Sequence, residues 1–399
     1  MVKAADPSAA IMKLDPRGCS PLSTAIPFDL CASDEDLADL ERRLASTRWP
    51  SPVESGWGLG TESAWLHELV DYWRHDFDWR AREAWIREKL PGQRARVREI
   101  DLHFSHVPGR GPNPFPLLLL HGWPSSYLEM QKLVGPLSDP VAHGGSVEDA
   151  FDVVVGSLPG HGFSSASPDP RFGADEAADC FRDLMVEVLG FDRFGAHGGD
   201  RGAFVTTGLA HRYPEHVVGI HQNLPMAIPD DPPTAEDAQW LATTARWNAE
   251  EGGYSAVQGT RPMSLAYGLT DSPVGLAGWI CEKFWAWSDC RGDPLNAFSR
   301  DELLDNVMIY WLSGCLYSSI RFYWAHRQAP PAAVRPERIE IPTAISIFPK
   351  EVMRPPRSAV ARKYDLRQWS EAERGGHFPA LEAPDVLVDD LRRFYRTLR

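Results

Sequence analysis

The chain has 399 residues, 43% hydrophobic and 24% charged, which is enough for a full-sized core and two or three structural units. Its formal net charge of −14 disfavours phosphate backbones and anionic membranes, and no Lys/Arg run speaks for a nucleic-acid partner. No stretch approaches the roughly 18–20 apolar residues of a membrane span. The segment from Met1 to Phe28 lacks the sections of a signal peptide, so a cytoplasmic protein with no membrane partner is expected. The cysteines (Cys19, Cys31, Cys180, Cys281, Cys290, Cys315) show no CxxC or zinc-like spacing. They are expected to be reduced and mostly buried, and neither metal nor cofactor is expected.

In chain order, Ser33 followed by Asp36 reads as a capping box, and Leu37, Leu40 and Leu44 recur at helical spacing. After a loop with Pro50, Pro52 and Gly60, a second helical stretch runs from Thr61 to Leu90, with Trp65, Leu69, Tyr72 and Trp73 as its stripe. Arg96 to Ile100 and Leu102 to Val107 read as short strands. The runs Leu117 to Leu120 and Val153 to Val155 suit strands buried on both faces of a parallel sheet. Helix-like stretches lie between them and from Asp175 to Leu189, and this alternation predicts a doubly wound α/β core.

The pattern changes after Pro225. From there to about Gln328 the chain reads as helical and holds seven of the 15 tryptophans: Trp240, Trp247, Trp279, Trp285, Trp287, Trp311 and Trp324. These suit a cavity wall or packing between helices. Ser299 with Glu302 caps a helix carrying Leu304, Val307, Met308, Trp311, Cys315, Ile320 and Tyr323. Strand character returns from Ala344 to Phe348. The expected organisation is an N-terminal helical extension (1–95), a core (96–226 and 333–399) with a mostly parallel sheet, and a helical cap (227–332).

Gly198-Gly199-Asp200-Arg201-Gly202 sits between a strand near Phe194 and a helix-like run to Tyr213, the context of a nucleophile elbow. A Gly-rich loop turn is the plainer alternative. An aspartate with a pKa near 4 is ionised at neutral pH and attacks an sp³ carbon without a base. The ester so formed needs water and a base. In His121-Gly122-Trp123-Pro124, the Trp123 N–H can join the Arg201 N–H as an oxyanion hole. His377, in Gly375-Gly376-His377-Phe378, follows the nucleophile in the expected order nucleophile, acid, histidine. The acid is Glu351, just past the last strand, with Asp365 as its rival.

Together these motifs resemble the microsomal-type epoxide hydrolase family. The resemblance runs from Ile26 to the C-terminus and includes Pro27-Phe28 through Arg48-Trp49-Pro50, Ser157 to Ser164, His197 to Gly202 and Leu269 to Leu276. It implies an α/β-hydrolase fold with a helical cap. It also implies Asp200 as nucleophile, His377 as base, Glu351 as acid, and Tyr254 and Tyr323 as donors to the epoxide oxygen. Tyr267, Tyr310 and Tyr317 compete for the donor roles, and core packing is the plain alternative for Tyr323. Trp123, Arg201 and Phe163 are expected to touch substrate. Where the family often has Trp after the nucleophile, this chain has Arg201. Its side chain either meets a polar or anionic substrate group or pairs outward with a carboxylate.

The expected partners are a small-molecule epoxide and water, with a homodimer left open. The rival readings are a haloalkane or haloacid dehalogenase, against which Arg201 and the tyrosines speak, and a catalytically silent metabolite-binding relative. The Trp-rich cap points to an aromatic or bulky apolar epoxide. Arginine outnumbers lysine 34 to 7, which suggests a GC-rich bacterial genome, and the resemblance extends to secondary-metabolite enzymes.

Overall fold

The structure, a computed structural model, describes residues 24–51, 55–227, 229–329 and 338–399. Cys19, Pro52, most of the Met1 to Phe28 segment and the expected boundary at 332 lie outside the described residues. The other five cysteines form no disulfide, and four of them are buried, Cys31 being exposed.

The N-terminal helices follow their capping signals. In α1 (Asp34–Ala45) the Ser33 side chain accepts the Asp36 N–H, acids fill the first turn, and Arg42 and Arg43 the last. Leu40 and Leu44 form its buried face. The single stretch expected from Thr61 to Leu90 is instead two helices, α2 (Ser63–His75) and α3 (Trp79–Lys89). The Asp78 carboxylate accepts the Ala81 N–H and starts the second helix. Later come α4 (Gln131–Ser138), α5 (Ala174–Asp183) and α6 (Asp200–Arg212).

Among the described residues nine strands form one sheet. Its lateral order is β1 (Ile26–Pro27), β2 (Gly92–Val97), β3 (Ile100–Val107), β5 (Phe151–Gly156), β4 (Phe115–Leu120), β6 (Phe194–Gly198), β7 (Val217–Gln222), β8 (Ile339–Ile347) and β9 (Tyr364–Glu371). From β5 to β9 every pairing is parallel, and β1 to β3 add an antiparallel flank. The expected strand from Arg96 to Ile100 straddles a turn in which Arg98 has φ 55°, so β2 begins earlier, at Gly92. The sheet therefore starts inside the segment expected to be a helical extension. Leu117 and Leu119 of β4 feed one hydrophobic cluster and Leu118 and Leu120 the other, one on each face.

The helices between the two halves of the sheet are α7 (Ala235–Glu251), α8 (Gly253–Thr260), α9 (Pro262–Asp271), α10 (Pro273–Trp287), α11 (Arg300–Ser313) and α12 (Leu316–Gln328). The Ser299 capping box is present, but the helix it opens does not reach Tyr323. Gly314, at φ 64°, ends α11 in a left-handed conformation, and α12 begins after it.

The N-terminal helices clasp this helical layer. Tyr72 donates to Asp301 at 2.8 Å, and Thr61 donates to the Gly278 carbonyl at 2.6 Å. Arg82 grips the fully buried Asp305 through two nitrogens, at 3.1 and 2.6 Å. Removing one partner of such a pair leaves a buried charge without compensation. We expect Arg82→Met to cost about 3 kcal/mol in chemical denaturation. A loss below about 1 kcal/mol would mean that the pair is solvent-screened.

Candidate active site

The site forms where β6 turns into α6. Asp200 stands on that turn with φ 43°, a left-handed conformation that a non-glycine residue holds only under constraint. The constraint is backbone crowding. A Cβ on Gly198 would lie 2.4 Å from the Gly202 carbonyl carbon, and one on Gly202 would lie 2.4 Å from the Leu120 oxygen. Across the gap, a Cβ on Gly122 would lie 2.3 Å from the Asp200 Cβ. Only glycine lets the end of β4, the elbow and the His121-Gly122-Trp123 turn come this close.

That approach brings the Trp123 N–H to Asp200 Oδ1 at 2.8 Å. The Arg201 N–H lies in the first turn of α6, where helix geometry gives it no intrahelical acceptor. One carboxylate oxygen is thus held by a backbone donor, and the other faces His377 Nε2 at 3.7 Å.

Behind the histidine, Glu351 Oε1 lies 2.5 Å from His377 Nδ1. Glu351 also accepts the Val352 N–H at 2.8 Å and the Asn223 side-chain amide at 2.9 Å. Asn223 follows β7 directly and was not singled out in the sequence. The His377 backbone N–H donates to the Trp287 carbonyl at 2.9 Å, and the Phe378 N–H donates to Glu382 at 2.9 Å. Asp365, the rival acid, lies in β9 paired with Arg367 at 2.8 Å.

The charges around His377 compete. Burial disfavours the imidazolium, but the charge and hydrogen bond of Glu351, with Asp200 and Glu129 nearby, raise the ring to about 9. Glu129 is a second residue that the motifs did not flag. Burial raises its carboxyl to about 7 even though Ser125 donates to it at 2.5 Å.

The two tyrosines named in the sequence meet at one indole. Trp123 stacks on Tyr254 with centroids 5.5 Å apart and meets Tyr323 edge-on at 5.7 Å. Tyr254 and Tyr323 are 5.7 Å apart. Burial pushes both phenols up, so they keep their protons at neutral pH. The competitors are placed elsewhere: Tyr267 is exposed, Tyr310 donates to the Ser125 carbonyl at 2.9 Å, and Tyr317 packs on the core.

Of the two courses expected of Arg201, outward pairing with a carboxylate is not taken among the described residues. Its side chain is buried and among the described residues forms no ion pair; the guanidinium lies over the Tyr323 ring, 3.7 Å from the centroid. Phe163 is not brought to this cluster. It packs with Phe28, His103 and Tyr127 at centroid distances of 5.0, 5.5 and 6.5 Å. Of the seven tryptophans, Trp287 meets both His377 and Tyr254 at 5.0 Å, with Trp247 behind it at 6.5 Å. Trp285 instead stacks on Trp57, and Trp279 donates to Gln258.

Since Asp200 is one of the charges that raise His377, neutralising it should lower that value. We expect Asp200→Asn to move the His377 ring titration, followed by NMR, below the value of about 9. An unchanged titration would mean that the two groups are not coupled.

Residues 25–130 match a family model described as the epoxide hydrolase N terminus, and residues 116–255 match the alpha/beta hydrolase fold. A Stigmatella aurantiaca protein is 41% identical over 379 residues, covering 94% of this chain and 85% of its own length. Rabbit (Oryctolagus cuniculus) epoxide hydrolase 1 is 36% identical over 403 residues, covering 92% and 88%. The crystal structure of juvenile hormone epoxide hydrolase from the silkworm Bombyx mori superposes with a TM-score of 0.85 at 26% identity, covering 96% of each chain. On its fold and on relatives that span nearly its whole length, the chain belongs to the epoxide hydrolase family.

Proposed function

We propose that this enzyme opens an epoxide to a vicinal diol through an alkyl ester on Asp200. The observation that carries the reading is the division of labour on one carboxylate. Oδ1 accepts the Trp123 N–H at 2.8 Å, which leaves Oδ2 free to attack. Tyr254 and Tyr323 donate to the ring oxygen as the C–O bond breaks. An alkoxide is a poor leaving group in water, and a positioned acid contributes about 10²- to 10⁴-fold.

Ester formation removes the negative charge of Asp200 and, with it, part of what raises His377. The sign follows: a raised value favours the imidazolium at neutral pH in the resting enzyme, and its loss on alkylation favours the free base. His377 then takes a proton from water. The water oxygen attacks the Asp200 ester carbon, and negative charge gathers on the oxygen facing the Trp123 and Arg201 amides. The tetrahedral intermediate expels the diol oxygen, which receives the proton from His377. Asp200 is regenerated carrying the water oxygen, and the second water proton returns to the tyrosine that gave its own to the ring oxygen.

Trp123, Tyr254, Tyr323 and Trp287 line the reacting centre with rings, which favours an aryl or bulky apolar epoxide. The dehalogenase reading shares Asp200 and His377 but gives no task to two phenols.

The test is His377→Gln mixed with aryl and alkyl epoxides, followed by intact and peptide mass measurement. We expect a gain of one epoxide mass, mapped to Asp200, because the ester forms and persists. Halide release from haloalkanes, with no adduct from any epoxide, would replace this reading with the dehalogenase. Tyr254→Phe and Tyr323→Phe should each slow ester formation by about 10²-fold in rapid-quench measurements.

A further inference from the structure

Each of the two tyrosines carries a buried cation on its ring. The Arg201 guanidinium carbon is 3.7 Å from the Tyr323 centroid. Lys283 Nζ, on α10, is 4.8 Å from the Tyr254 centroid and 5.6 Å from that of Trp287. Both cationic side chains are buried, at 7% and 5% exposure. Neither position is explained by a conventional partner alone. Arg201 has no ion pair among the described residues, and its Nε has no hydrogen-bond partner; it rests against the rings of Tyr323, Phe204 and Phe322. Lys283 pairs with the neighbouring Glu282 yet keeps its ammonium over two aromatic rings. A buried guanidinium without a counter-ion is costly to desolvate, so its position calls for a compensating use.

We infer that Arg201 and Lys283 are positioning residues for the epoxide-opening step, each a fixed cation that strengthens one tyrosine as a proton donor. The inference rests on the reading of Tyr254 and Tyr323 as the donors. The physical reason is differential. A neutral phenol offers the cation its ring quadrupole and, at Tyr323, a nearby hydroxyl, whereas a phenol giving up its proton gains negative charge over the same ring. The attraction therefore grows along the reaction coordinate, the only kind of interaction that accelerates a step rather than merely tightening binding. It also acts where a corrective is needed, since burial pushes both phenols up and Arg201 opposes that push at each. Arg201 is nearer to its ring and unpaired, while Lys283 is farther and shares its charge with Glu282. The two contributions should rank in that order.

The experiment measures the rate constant for Asp200 ester formation by rapid quench, with neutral styrene oxide, in the His377→Gln enzyme where the ester accumulates. Arg201→Met should slow ester formation about tenfold, and Lys283→Met less, about threefold. The epoxide concentration at half-saturation should move less than twofold, and Arg201→Lys should recover most of the rate. In a Tyr323→Phe background, Arg201→Met should lose most of its effect, leaving only what the cation exerts on Tyr254. Lys283→Met paired with Tyr254→Phe forms an independent cycle should an Arg201 variant fail to fold. Four results would overturn the inference: parental rates in Arg201→Met, a loss lying wholly in half-saturation, equal loss in Arg201→Lys, or additive effects in both cycles. A loss confined to an anionic epoxide such as glycidate would make Arg201 a substrate-recognition residue instead. If Tyr323→Phe and Tyr254→Phe themselves leave ester formation unchanged, it is the donor reading that falls.

Discussion

The site depends on how closely three stretches of backbone approach one another. The end of β4, the turn after it and the first turn of α6 meet at distances that admit no Cβ at Gly122, Gly198 or Gly202. That contact holds Asp200 in a left-handed conformation and puts a backbone N–H on one of its oxygens. It needs a parallel sheet with β4 and β6 side by side, which in turn needs strands apolar on both faces. The leucine run of β4 thus serves the chemistry as directly as it serves the core.

Around this contact the electrostatics are arranged as alternating charges under cover. Glu351, His377 and Asp200 stand in line as carboxylate, raised imidazole and carboxylate, with Asn223 and a backbone amide holding the outer carboxylate in place. The neutral phenols stand beyond Asp200, and beyond them two buried cations. In a water-poor site such charges act on one another with little screening, so a change at Asp200 is felt at His377.

Much of this was legible in the sequence because it rests on local chemistry. Glycines flanking one aspartate, a histidine late in the chain and an acid after the last apolar strand all signal through residue type and order. Capping residues also read true at Ser33 and Ser299. What escaped depends on tertiary placement. Asn223 and Glu129 lie outside any motif that names their task, and both were recognised only by what they face. β9 is a polar edge strand with no apolar run, and β2 alternates Arg94, Ala95, Arg96 and Val97 with a half-buried period that its charges disguise. Phe163 was drawn to the site by its neighbours in sequence, yet it fills a contact with Phe28 of the N-terminal segment. Arg201, expected to meet either a substrate anion or a carboxylate, makes no carboxylate pair among the described residues and lies over an aromatic ring that residue type and order do not announce.

One hydrogen bond links the helical layer to the base. The His377 backbone N–H ends on the Trp287 carbonyl at the last residue of α10, and a Cβ on Gly376 would lie 2.5 Å from that same oxygen. The histidine loop is therefore latched to the roof of the site and not only to the sheet below it. The alignment of the base is thereby tied to the position of α10, so a substitution that shifts the end of that helix is felt first at the histidine.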